Sequence, residues 1–264
     1  MTTASAVLMS TDHAIPDFVV GGAPRSGTTF LCELLAKHPK VYVARPFIPE
    51  PKVCLTDHPA GDSGLLQRYA EYFAAAPAET VKVEKTSNYF ENDEARQRLT
   101  RLLPHARFIF ILREPVARAY SNWLWSRKNG LETLPFSVAI RQEGNRVSPL
   151  PSERAHVRPF DYMRRGRYGT LAKAWVDAIG RERIAFVLFE HAVARPEEFV
   201  HELQSFLGVE RLPWQRLRTG VINATEPDPS GLDSDLKAKL RKRIEPEVYH
   251  LAQVTGLDVS VWGY

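Results

Sequence analysis

The chain has 264 residues, 44% hydrophobic and 25% charged, enough to bury the core of one large α/β domain. Its formal net charge of +4 suits an anionic ligand but is too small to imply nucleic-acid binding. Two cysteines, Cys32 and Cys54, give neither a disulfide framework nor metal-ligand spacing. No apolar run reaches the length of a membrane span and the N-terminus lacks a signal-peptide pattern, so a cytoplasmic protein is expected.

Residues 1–16 read as a flexible N-terminal segment and 17–264 as one domain. The first element is a β-branched strand over 18–21. It feeds a Gly-rich turn, Gly22-Ala-Pro-Arg-Ser-Gly27-Thr28-Thr29, which opens into a helix carrying Phe30, Leu31, Leu34 and Leu35 on one face. Cys32 falls among these apolar positions and is expected to be a buried thiol. A strand–loop–helix unit of this kind aims several backbone N–H groups at one point, where the helix dipole adds positive potential. It therefore binds phosphate or sulfate. The turn has the length of the nucleotide loop G-x-x-x-x-G-K-[ST], but Thr28 stands where the lysine belongs and Arg25 is its only cation. The loop suits an anionic nucleotide without the usual Mg-ATP arrangement.

Further strands are expected at 41–44, 81–85, 108–112 and 184–189. Helices are expected at 64–76, 91–103, 115–128, 170–179, 196–207 and 234–254, with Pro115 and Pro196 in first turns and a break or kink at Pro246. Mostly continuous apolar strands alternating with helices indicate a central, mainly parallel sheet flanked by helices, a P-loop-type three-layer α/β sandwich. Residues 129–166, Arg-rich and broken by Pro149, Pro151 and Pro159, read as irregular structure around a site.

Two strand ends carry chemistry. The run over 108–112 delivers Arg113 where a P-loop kinase would offer a metal-binding aspartate, and Ser121 follows on the next helix, an arrangement that suits a second phosphate. A surface ion pair with Glu114 or another acid is the ordinary alternative. Strand alternation puts Lys85 and Thr86 on opposite faces at the carboxyl end of 81–85, where open α/β sheets gather ligands. A solvated lysine is the ordinary reading there.

Gly22-Ala-Pro-Arg-Ser-Gly-Thr-Thr, Glu84-Lys-Thr-Ser-Asn-Tyr-Phe and Ile111-Leu-Arg-Glu-Pro-Val-Ala-Arg-Ala-Tyr-Ser, in this order, resemble the sulfotransferases that use 3′-phosphoadenosine 5′-phosphosulfate (PAPS), above all the heparan-sulfate type and its bacterial relatives. Gly166-Arg-Tyr168 and Asp258-Val-Ser-Val-Trp262 follow in the expected order. The resemblance implies PAPS as co-substrate, with 3′,5′-bisphosphate (PAP) as product and no metal. It gives Arg25, Ser26, Gly27, Thr28 and Thr29 the 5′-phosphosulfate, Arg113 and Ser121 the 3′-phosphate, and Tyr168 a place in the cofactor site. Arg25 matches the family's catalytic lysine. Arginine, which also stands there in the branch that sulfates protein tyrosines, supplies fixed charge rather than a proton. Lys85 would stand beside acceptor and sulfonate.

By the same resemblance Glu50, in Ile48-Pro-Glu50-Pro-Lys52, is the general base that deprotonates the acceptor hydroxyl, with His58 the nearest histidine alternative. The segment 219–227 lacks the cysteine-bracketed basic loop of heparan-sulfate members, leaving Arg218, Arg164, Arg165 and Arg167 as substitutes, or as a solvated face. The acceptor would be a hydroxyl-bearing sugar, phenol or lipid-linked metabolite. Trp123, Trp125, Phe136 and Tyr162 would line its pocket or fill the core, and the arginines of 141–167 hint at an anionic acceptor. A P-loop kinase and a PAP-binding protein without activity are the other readings.

Overall fold

A computed structural model describes residues 14–218 and 232–264, so the 219–227 segment and most of the expected N-terminal segment lie outside the described residues. All five expected strands form: β1 (Phe18–Gly22), β2 (Val41–Val43), β3 (Val81–Lys85), β4 (Arg107–Leu112) and β5 (Ile184–Leu188). They pair in parallel in the order β2-β3-β1-β4-β5. Val20 lies beside Lys85 in β3 and Ile109 in β4, so the chain leaves β1, β3 and β4 along the same carboxyl edge of the sheet. That edge collects the Gly-rich loop, Lys85-Thr86 and Arg113 side by side.

The helices are α1 (Thr28–Leu35), α2 (Gly61–Phe73), α3 (Asp93–Leu102), α4 (Pro115–Lys128), α5 (Phe136–Arg141), α6 (Tyr168–Ile179), α7 (Phe189–Ala194), α8 (Pro196–Leu207), α9 (Trp214–Leu217) and α10 (Ser234–Thr255). They cover both faces of the sheet. Phe108, Phe110 and Leu112 face a core shared with Leu99, Trp175, Val248 and Leu251 from α3, α6 and α10. Ile109 and Ile111, pointing the other way, meet Leu31 and Leu35 of α1 and Leu203 of α8. This alternation of buried residues on a strand hidden on both sides is what a three-layer parallel sheet requires.

Two expectations need correction, and one open alternative is decided. The helix over Ser234–Thr255 runs through Pro246 without a break. Its Leu240, Ile244, Val248 and Leu251 are buried, and packing of that stripe on α6 outweighs the one backbone bond that proline removes. Residues 129–166 are less irregular than expected, since they hold α5 and 3₁₀ turns at Ser152–Val157 and Arg164–Gly166. Trp123, Phe136 and Tyr162 belong to the core, at 2%, 6% and 0% exposure, and only Trp125 of the four aromatics reaches the cleft described below. Cys32 is buried as expected, and burial pushes its thiol up to about 12.

Candidate active site

The loop between β1 and α1 is shaped by backbone constraints. Gly22 has φ 154°, and a Cβ there would lie 2.6 Å from the Phe90 Cβ. Gly27 caps α1 at φ 96°, where a Cβ would meet the Phe189 ring at 2.6 Å. Between them Arg25 takes φ 66°, a left-handed conformation that a residue with a side chain adopts at a cost. The first amides of α1 point into the loop as helix-end donors.

Arg25 Nε donates to Ser121 Oγ at 3.4 Å, which joins the loop to α4 across 96 residues of sequence. Burial draws the Arg25 guanidinium down to about 10, and Arg113, Arg118 and Arg165 push it the same way. Four guanidiniums therefore lie close enough to repel one another around the loop, an arrangement that fits a ligand carrying several negative charges. The alternative surface pair between Arg113 and Glu114 does not form. Glu114 accepts from Ala117 N and the Tyr264 hydroxyl instead, while Arg113 lies over the Phe189 ring. Arg118 was not singled out by sequence reasoning. It is fully buried, it donates through Nη2 to the Tyr162 carbonyl, and its Nε and Nη1 have no partner. Its only signal was a second arginine five residues after Arg113.

Tyr168 is fully buried beneath the loop rather than in the cleft wall. Burial raises its phenol, an effect opposed by Arg118, the Ser26 side chain and the Arg113 backbone. The C-terminal motif closes this side, with Trp262 Nε1 donating to Glu190 Oε2 at 2.8 Å and Glu190 Oε1 accepting from Glu114 N at 2.9 Å.

A cleft of about 540 Å³ opens in front of the loop. It is lined by Arg25, Thr28 and Thr29, by Glu50 and Lys85, and by Asn122, Trp125 and His156. Lys85 Nζ lies 2.9 Å from Glu50 Oε1, donates to Thr29 Oγ1 at 3.0 Å and reaches the Phe47 carbonyl at 3.4 Å. Ser87 donates to the same carboxylate from its amide, 3.1 Å to Oε2, and from its hydroxyl, 2.9 Å to Oε1. Glu50 is thereby held by Lys85 at the end of β3 and by Ser87 just after it, and Lys85 carries the link on to Thr29 in the first turn of α1. His58 is elsewhere, its Nδ1 accepting from Ala60 N just ahead of α2. Of the Arg-rich segment, Arg165 is buried against Glu91 and lines the cleft, whereas Arg164, Arg167 and Arg218 are exposed. No cluster of three or more His, Cys, Asp or Glu side chains suited to a metal occurs among the described residues.

Residues 54–215, well over half of the chain, match the model of the Sulfotransferase family. The match begins beyond both the Gly-rich loop and Glu50. The chain is 26% identical over 207 residues to the bifunctional heparan sulfate N-deacetylase/N-sulfotransferase 1 of Caenorhabditis briggsae, covering 76% of this chain and 24% of that protein. It is 28% identical over 200 residues to the mouse heparan sulfate glucosamine 3-O-sulfotransferase 6, covering 75% and 53%. The chain thus spans a quarter to a half of these relatives. Among solved structures, a sulfotransferase from Alicyclobacillus acidocaldarius superposes with a TM-score of 0.76 at 27% identity, over 95% of this chain and 100% of that one. The sulfotransferase domain of the Synechococcus PCC 7002 olefin synthase shares the fold, with a TM-score of 0.54 at 16% identity over 94% and 98%.

Proposed function

The chain belongs to the sulfotransferase family, and from that premise we propose that it moves the sulfuryl group of PAPS to a hydroxyl of a carbohydrate or small-molecule acceptor. The observation that carries this reading is the convergence, on one sheet edge, of the Gly-rich loop, the Arg25–Ser121 contact and the Lys85–Glu50 pair. The loop and Arg25 would hold the 5′-phosphosulfate; Arg113 and Ser121 would hold the 3′-phosphate. The heparan sulfate relatives support a carbohydrate among the acceptors.

In the proposed reaction the acceptor oxygen attacks sulfur in line while the bond from sulfur to the phosphate oxygen breaks, and PAP departs. Glu50 takes the hydroxyl proton. Its carboxylate is already aimed by Lys85 and Ser87, so little reorganisation accompanies the transfer. Arg25, Thr28, Thr29 and the loop amides stabilise charge on the sulfonate and on the departing phosphate, and Lys85 adds a cation between base and sulfonate. No divalent ion takes part in this scheme. No helix among the described residues is long and apolar enough to cross a membrane, and we place the enzyme in the cytoplasm.

The test is direct. Purified protein should bind PAP, transfer ³⁵S from labelled PAPS to acceptors in a cell extract, and retain that activity in EDTA. Magnesium-dependent ATP binding that displaces PAP would instead indicate a kinase.

A further inference from the structure

Two polar atoms in the cleft wall have no partner, and both lie outside the groups assigned above. Asn122 is 1% exposed and lines the cleft, yet its Nδ2 is buried without an acceptor. Its Oδ1 accepts from Arg165 Nη1 at 3.2 Å. Arg165 is itself fixed by a two-point pair with Glu91, Nε to Oε2 2.7 Å and Nη2 to Oε1 2.6 Å, and by the Val157 carbonyl at 3.2 Å. A guanidinium only donates, so the amide must turn its oxygen to Arg165 and its NH₂ away. The reverse orientation would set donor against donor. A buried donor left unmade is destabilising, and a ligand acceptor in the cleft can relieve it.

The second atom is His156 Nε2, also buried without a partner in the same cleft. The Glu153 backbone is a hydrogen-bond partner of the ring, and because Nε2 has no partner that bond falls to Nδ1, so the neutral imidazole leaves Nε2 as an acceptor. Burial, then nearby Lys52, lowers the pKa of this histidine, so the neutral form prevails near pH 7. Asn88 Nδ2 holds the His156 carbonyl at 2.9 Å and fixes the segment against the 3₁₀ turn after β3.

We propose that Asn122 Nδ2 and His156 Nε2 form an acceptor subsite that holds a second, uncharged hydroxyl of the acceptor, distinct from the hydroxyl that is sulfated. A hydroxyl is the group that takes a hydrogen bond from an amide and gives one to an imidazole. A carboxylate has no proton for Nε2, and an ammonium has no lone pair for Nδ2. Arg165, the cation that touches Asn122, is consumed by Glu91, while Lys52 and Lys128 also line the same cleft. Trp125 lines the same cleft and offers an apolar face to the ring or chain between the two hydroxyls. The subsite therefore selects vicinal diols, polyols or catechols over simple phenols. This inference rests on the sulfotransferase reading above.

Asn122→Asp and His156→Phe test it in the full chain. PAP affinity, measured by calorimetry, should stay within about threefold of wild type, because neither side chain is assigned to the nucleotide. The thermal midpoint of Asn122→Asp should not fall, since the change removes an unmade donor and puts a carboxylate beside Arg165. The probes are methyl β-D-glucopyranoside, 4-nitrocatechol and 4-nitrophenol with ³⁵S-labelled PAPS. Wild type should favour the first two, and either substitution should lower their kcat/KM on the order of tenfold to a hundredfold, mainly through KM, while 4-nitrophenol loses much less. The subsite is overturned by a wild-type enzyme that does not favour the diol probes, by unchanged transfer to them in both variants, or by a clear fall in the Asn122→Asp midpoint. Absence of PAP binding in wild type would instead overturn the sulfotransferase reading beneath it.

Discussion

Lys85 and Glu50 form a buried ion pair, Nζ to Oε1 2.9 Å, with side chains only 3% and 13% exposed. Lys85 also donates to Thr29 in the first turn of α1, so one ammonium ties the proposed base to the anion loop. Removing either partner strands the other in a dry wall. Glu50→Gln should lower single-turnover transfer from ³⁵S-labelled PAPS about a hundredfold to ten-thousandfold, the range of general-base catalysis. Lys85→Met should cost on the order of a hundredfold. The double variant should be little worse than the poorer single one, because the two side chains act as a unit. Losses that simply multiply would separate their roles.

The arginine cluster predicts opposite effects on the empty and the liganded protein. Burial and three neighbouring guanidiniums oppose the charge on Arg25, though a pKa drawn down to about 10 still leaves it protonated at neutral pH. Replacing Arg113 with Met removes one repelling charge, so the thermal midpoint without ligand should hold or rise. The same change should weaken PAP by on the order of ten- to a hundredfold, the worth of a charged hydrogen bond, and shrink the rise in midpoint that PAP produces. Arg25→Ala should lower the transfer rate on the order of a hundredfold or more. Differential scanning fluorimetry with and without PAP reads the first pair of effects. An Arg113→Met protein that melts lower without ligand yet keeps its PAP shift would contradict them.

Pro246 sits inside α10, where its ring removes the bond to the Lys242 carbonyl, while Ile244 and Val248 on either side are buried. Packing holds the helix despite a local preference against it. Pro246→Ala should therefore raise stability by about 1–3 kcal/mol, up to the full helix-interior difference between the two residues. Denaturant unfolding measures it directly, and an unchanged midpoint would mean that the helix has already relaxed around the ring.

The sheet was legible because each strand is a short apolar run, and a run hidden on both faces leaves few other uses for Phe108–Leu112 or Ile184–Leu188. Once the strands are parallel, their carboxyl ends converge, which is why Arg113, Lys85 and the Gly-rich loop could be assigned to one place before any coordinate. Side-chain partners were not legible. Arg165 was one of four arginines open to a cofactor contact or a solvated face, and only the fold brings Glu91 within 2.6 Å of it. Trp123 and Trp125 are two residues apart on α4 and point to different sides, so one enters the core and the other the cleft. His58 was nearer to Glu50 in sequence than His156, but the end of the long 129–166 segment folds back to bring His156 to the cleft.

Glu84 gives a pH dependence of defined sign. It is fully buried, its Oε1 accepts from Thr86 at 2.5 Å and its Oε2 from Tyr69 at 3.2 Å, with Tyr89 a third donor. Burial raises its pKa from 4.5 to about 7, against the pull of those hydroxyls. The folded carboxyl thus holds its proton where the unfolded one has lost it. Between about pH 4.5 and 7 the native state binds more protons, so stability from this group is complete below the lower value and falls as pH rises through the upper one. The loss relative to Glu84→Gln should reach about 3 kcal/mol and level off above the folded pKa. Thr86 Oγ1 also accepts from Lys52 N at 2.9 Å, so ionisation of Glu84 is felt in the loop that carries Glu50. Unfolding midpoints of wild type and Glu84→Gln across pH 4–9 should converge at the acid end and separate toward the alkaline one. Parallel curves would mean that Glu84 titrates alike in the folded and unfolded chain.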